Sequence, residues 1–199
     1  MANANRPMGL SPVKSITGAP FNGQGNIYRI AAADTNGYAV GDPVASSGNA
    51  DANGVPGITL ATAGTGNAIR GIIVGLGTSE SGLFNPNNLN SIVRPASAQT
   101  QDWYALVIDD PYFIFEVQEV GTGMQFTSAS VGLNANLSAG SNNGYLSGWQ
   151  LSNVGAAVTN TLQVRLLGLV RKQGNGFGAY AKWLVMINNH ELHAGTTGV

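Results

Sequence analysis

The chain has 199 residues, enough for one domain with a real core. Its formal net charge is -1 and only 10% of its residues are charged, so no electrostatic footprint for nucleic acid is present. It has no Cys, which excludes disulfides and thiolate ligands.

Residues 1–26 lack any periodicity. Pro7, Pro12 and Pro20 alternate with Gly9, Gly18, Gly23 and Gly25, so an extended arm is expected rather than a helix. An ordered arm of this kind lies along a neighbour or along the protein's own sheet, and its apolar residues Leu10, Val13, Ile16 and Phe21 are the candidate contacts with such a neighbour. Met1–Leu10 lacks an apolar stretch of signal type, and no run of about 20 apolar residues occurs, so no membrane helix is expected.

Asn26–Ala31 reads as a short strand. Asp34-Thr35-Asn36-Gly37 is a turn, Tyr38–Val40 a strand, and Gly41-Asp42-Pro43 a second turn before Val44-Ala45. A loop over 49–57 leads into the strand Ile58–Ala61. Gly64–Asn67 turns into a strand over Ala68–Leu76. Gly71 and Gly75 inside that strand imply a bulge or a close backbone approach. Short strands about ten residues apart predict a sandwich or small barrel. Residues 77–101 break the cadence as a long insertion. Leu83, Phe84, Leu89 and Ile92 are its candidate subunit contacts, because a loop of this length usually has a task.

The densest apolar stretch is 102–120. Trp103–Ile108 is one run and Asp109-Asp110-Pro111 the break. From Tyr112 to Val120 the pattern alternates: Phe113, Phe115 and Val117 share one face, Ile114, Glu116 and Gln118 the other. Ser130–Ser138 alternates too, with Val131, Leu133, Ala135 and Leu137 together. Tyr145, Leu146, Trp149 and Leu151 suggest an edge. Leu162–Val170 and Tyr180–Ile187 are strong strands. The expected core is Leu106, Ile108, Phe113, Phe115, Val117, Val164, Leu166, Val185 and Ile187. The whole is an all-β single domain over 27–187, a barrel or jelly-roll-like sandwich, with an N-terminal arm over 1–26 and a polar tail over 188–199.

Motifs for chemistry are weak. His190, Glu191 and His193 place the two histidines three apart, not the four that a zinc-binding helix uses. Asp109 and Asp110 precede a Pro and read as turn residues before they read as an acid/base pair. Gly64–Gly71 echoes a phosphate loop but opens a strand and carries no Lys. Trp103, Tyr104, Trp149, Tyr180 and Trp183 could stack on a sugar, although aromatics more often build cores. No catalytic residue, metal site or cofactor is expected.

Several stretches, taken together, resemble a known family. They are Asn5-Arg-Pro-Met-Gly-Leu-Ser-Pro-Val13, Tyr38-Ala-Val-Gly-Asp-Pro-Val44, Asp109–Gln118, Leu166–Val170 and Ala181–Glu191. The chain resembles the cement or decoration head proteins of short-tailed double-stranded DNA bacteriophages. The resemblance implies a non-enzymatic virion protein on the outer face of the capsid, assembled in the host cytoplasm. It also implies the major capsid protein and copies of itself, as dimer or trimer, as partners, with neither nucleic acid nor membrane. The competing expectations are a β-rich tail-tube protein and a glycan-binding spike or fibre module.

Overall fold

The computed structural model describes residues 3–78 and 92–198. Among them are fourteen strands and one 3-10 turn, Ser128–Ser130, with no α-helix, so the all-β expectation holds. In chain order the strands are β1 (Ser11–Ser15), β2 (Asn26–Ile30), β3 (Tyr38–Ala39), β4 (Pro43–Ala50), β5 (Pro56–Leu60), β6 (Gly71–Thr78) and β7 (Val93–Arg94). They continue with β8 (Trp103–Ile108), β9 (Phe113–Gln118), β10 (Asn134–Ala135), β11 (Leu137–Ser138), β12 (Gln150–Leu151), β13 (Val164–Leu169) and β14 (Lys182–Ile187).

Five strands form an antiparallel sheet in the order β1-β9-β14-β13-β10. The alternation read from the sequence sets its register. Phe115 lies opposite Val185 and Val117 opposite Trp183, and Leu166 also faces Val185 across the next pair. One face therefore gathers Phe113, Phe115, Val117, Val164, Leu166, Trp183, Val185 and Ile187 in a single buried cluster, joined by Trp149 and Leu151. Each large apolar side chain so enclosed contributes about 1.5–3 kcal/mol.

The second group is β2, β5, β4, β6 and β8. Their pairings return on themselves, since β8 pairs back with β2. The link between β2 and β5 is a single parallel pair, Arg29 with Gly57. A Cβ at Gly57 would displace the Asn49 and Ser47 side chains. Tyr28, Ile30, Tyr38, Val44, Ile58, Ile73, Trp103, Ala105 and Val107 fill the ring. The outer face of the ring supplies Ile72 and Ile108 to the sheet cluster, so the two groups share one domain. Both expectations for β6 hold. Its register against β8 shifts between Ile73 and Gly75, and Gly71 lies so close to the Ile108 carbonyl that no Cβ would fit.

Two expectations are corrected, Leu106 as a core residue and Ser130–Ser138 as one strand. Leu106 is half-buried rather than core. Its cross-strand neighbours are Ile27, itself exposed, and Gly75, which has no side chain, so it is only partly covered. Of the two places expected for an ordered N-terminal arm, it takes the protein's own sheet. Leu10 is fully buried, β1 is the edge strand against β9, and Phe21 packs edge-on to Phe113 with centroids 6.1 Å apart.

The C-terminal tail is docked as well. Ile69 N donates to Asn189 O at 2.9 Å, Glu191 N to Ile69 O at 3.0 Å, and Arg165 reaches the Thr196 and Thr197 carbonyls. Finally, Ser130–Ser138 is not one strand. Asn134 turns inward and gives its amide to Thr159 O (3.1 Å) and Thr196 O (2.8 Å), which breaks the alternation into β10 and β11.

Candidate functional site

The residues expected to contact a partner separate into three groups. Leu10 is sealed in the core, and half-buried Phe21 packs against that core. Leu83, Phe84 and Leu89 lie outside the described residues. Val13, Ile16 and Ile92 are exposed, Ile16 most of all at 53%.

Ile16 does not stand alone. Its backbone N–H donates to Tyr112 O at 2.9 Å, and the half-exposed Tyr112 ring meets His193 with centroids 5.6 Å apart. Leu192, on the same turn as His193, is also exposed. Three distant stretches thus present Ile16, Tyr112 and Leu192 from one region of surface.

A second apolar surface escaped the sequence reading. Met124 and Val154 are each 83% exposed. Asn153 ties their loops together by donating to Thr122 O at 2.6 Å. Phe126, Leu133 and Ala156 line the groove beside them. The available signal was local: each residue is an apolar side chain beside a Gly in a turn, where burial is hard to arrange.

The His-Glu-Leu-His stretch is a clasp between sheet and ring rather than a metal site. His190 is buried, and its Nδ1 accepts from Leu192 N at 3.0 Å. Burial, then the nearby Arg70 charge, holds its pKa below the ordinary value. The Glu191 carboxylate accepts from Ser46 N at 2.7 Å and from the Ser46 hydroxyl. It occupies the side of β4 that β6 leaves unpaired, since the two strands pair only at Pro43 and Val44. Among the described residues no group of three or more His, Asp or Glu could hold a metal ion.

Asp109 and Asp110 part company. Asp110 is the turn residue expected, accepting from Tyr112 N at 2.9 Å. Asp109 accepts from Tyr28 OH at 2.5 Å and Asn26 at 2.8 Å, with Arg70 at 3.4 Å. The pattern recurs twice: Tyr38 OH donates to Asp34 at 2.5 Å and Tyr104 OH to Asp51 at 2.7 Å. Burial, with the facing carboxylate second, pushes Tyr28 and Tyr104 each up to about 12. These hydroxyls are held as donors and are not poised to act as bases.

Three buried charged residues are structural. Burial pushes Asp42 up to about 6, while it accepts from Ala39 N at 2.8 Å. Glu119 is also raised by burial and accepts from Trp183 Nε1 (2.9 Å) and Phe126 N (2.8 Å). Arg94 is fully enclosed and donates to the carbonyls of Asn36 (2.6 Å), Asp34 (2.5 Å) and Ala31 (3.2 Å). It stitches the segment after the insertion to the turn before β3.

The phosphate-loop echo fails for a physical reason. The Gly64 and Gly66 amides are already spent on Gln163 Oε1 and Thr161 O. The sugar platform fails in the same way: Trp103, Tyr104, Trp149 and Trp183 are buried, and Tyr180 alone of the five is partly open. No family model, curated protein or solved structure matches the chain.

Proposed function

We propose that the chain is a structural virion protein. It binds the outer surface of a bacteriophage capsid and cements neighbouring capsomers against the pressure of packaged DNA. Its partners are the major capsid protein and one or two further copies of itself. It is a binding protein and not an enzyme, and it carries no cofactor. The finer architecture belongs to the same reading: the ring β2-β5-β4-β6-β8 acts as a small β-barrel packed against the sheet, in place of the two facing sheets of a jelly roll.

One observation carries this reading. The stretches behind the resemblance do not scatter over loops. Four of the five, Asn5–Val13, Asp109–Gln118, Leu166–Val170 and Ala181–Glu191, reach β1, β9, β13 and β14, adjacent strands of one sheet, while the fifth, Tyr38–Val44, covers β3 and the start of β4. The exposed apolar residues support a docking role: Ile16, Tyr112 and Leu192 in one place, Met124 and Val154 in another, on a surface with little charge.

The test is a cryo-electron-microscopy reconstruction of intact particles. Density for this chain outside the capsid floor, bridging capsomers, is expected. Density only in the tail would overturn the reading in favour of a tail-tube or spike protein. The burial of all three tryptophans weighs against a glycan-stacking version of that alternative.

A further inference from the structure

We infer that the cavity between the N-terminal segment and the β13–β14 loop is a carboxylate-binding site, built to receive an Asp or Glu side chain from an acidic protein segment. The inference does not depend on the capsid reading.

The cavity has a volume of about 250 Å³ and is lined by Asn3, Arg6, Lys172, Asn175, Tyr180 and Lys182, among others. The chain has nine basic residues, and three of them meet here. One carboxylate answers them. Glu116 Oε1 lies 3.2 Å from Lys182 Nζ and 3.5 Å from Lys172 Nζ. Among the described residues Arg6 has no acidic partner within salt-bridge distance. The site is therefore net positive on a chain whose formal charge is -1. Glu116 also shows the mode of binding, because one carboxylate oxygen already sits between two ammonium groups.

The walls are held in advance. Asn3 donates to the carbonyls of Gly176 and Ala179, both at 2.9 Å, and accepts from Gly176 N at 3.0 Å. Asn175 donates to Val170 O (2.8 Å) and Lys182 O (2.9 Å) and accepts from Lys182 N (2.9 Å). Gln118 receives Arg6 N at 2.7 Å and donates to Asn5 at 2.9 Å, which fixes the approach of the N-terminal segment.

Tyr180 adds a second, independent observation. It has φ 61°, the only non-Gly residue with positive φ among those described. For a bulky aromatic this costs on the order of 1–3 kcal/mol, and such strain gathers at binding sites. The turn lays the ring over Gly121, where a Cβ would strike the ring.

The chemistry favours a carboxylate over a phosphate. Phosphate sites draw on free backbone N–H groups. Here the Gly176 and Lys182 amides are consumed by Asn3 and Asn175, and the positive charge at the cavity is carried by side-chain ammonium and guanidinium. The volume suits one or two side chains and not a polynucleotide backbone.

The experiment is an NMR titration of the ¹⁵N-labelled full chain with N-acetyl-triglutamate amide, with N-acetyl-triglutamine amide and inorganic phosphate as separate arms. Saturable shifts at the amides of Lys172, Gly174, Tyr180 and Lys182 are expected with triglutamate and not with triglutamine. Added salt should weaken them. Arg6→Gln, an exposed change that leaves the Glu116 pairs intact, should weaken binding about fivefold, and Arg6→Gln with Lys172→Gln more than about tenfold. Three results would overturn the inference: no shifts with triglutamate, equal shifts with triglutamine, or shifts with phosphate alone, which would make this a phosphate site. Capsid binding is read on particles, so either proposal can fail without the other.

Discussion

The sheet β1-β9-β14-β13-β10 and the ring β2-β5-β4-β6-β8 solve the same packing problem with different materials. The sheet buries Phe113, Phe115, Val117, Trp183, Val185 and Ile187, and the polar atom of that set, Trp183 Nε1, ends on buried Glu119. The ring combines aliphatics with tyrosines that reach acidic turns: Tyr28 to Asp109, Tyr104 to Asp51 and, from neighbouring β3, Tyr38 to Asp34. Its cohesion thus depends on hydrogen bonds to carboxylates, whereas the sheet relies on volume. The ring should respond to charge and pH where the sheet responds to cavities.

The largest effect should come from the sheet. Trp183→Ala removes a fully buried side chain and leaves Glu119 without one of its donors. A loss of about 3–5 kcal/mol in urea unfolding is expected. A loss below about 1 kcal/mol would show that the sheet is not where the stability lies.

Next is Asp42, at the entry to the ring. Its folded pKa, about 6, lies above its ordinary 3.8, so the folded protein holds the extra proton between those values. The contribution is complete below pH 3.8 and is lost as the pH rises through 6, with a size of about 3 kcal/mol. Asp42→Asn should abolish that fall when stability is measured from pH 4 to 7.5. A fall of the same size in the variant would place its source elsewhere.

Tyr38→Phe should cost about 2 kcal/mol, because it takes a donor from Asp34 and an acceptor from Leu60 N. Hydrogen exchange should then quicken in β4, β5 and β8 before β9 and β14, and uniform quickening would erase the distinction between the two regions.

The smallest effect is at the junction. The depressed pKa of His190 means the unfolded chain takes up its proton first, so stability is lost as pH falls below about 6.5, opposite in sign to Asp42. His190→Asn should remove that acid-side loss while His193→Ala leaves it in place.

Much of the sheet was legible because its signal is periodic and local. Phe113, Phe115 and Val117 announce their shared face every second residue, and Val164/Leu166 and Val185/Ile187 do the same. Leu106 misled because burial there depends on its cross-strand neighbours Ile27 and Gly75, which no local pattern reveals. Asn134 misled because an inward amide with two carbonyl partners mimics a surface position. Arg94 and the C-terminal segment were unreadable for one reason: their partners lie far away in sequence, in carbonyls that every residue carries. The exposed site residues fared similarly. Ile16 was visible as an apolar residue in a Pro/Gly stretch, but its grouping with Tyr112 and Leu192 exists only in three dimensions.

The pairing of Arg29 with Gly57 has a mechanical consequence. A load applied across the ring reaches β6 and β8 through a long zipper of antiparallel pairs, but reaches β2 and β5 through one rung. The ring therefore has two thin seams, the single β2–β5 rung and the two-rung β4–β6 pairing. Stretched, it should part at one of these seams before the sheet behind it yields.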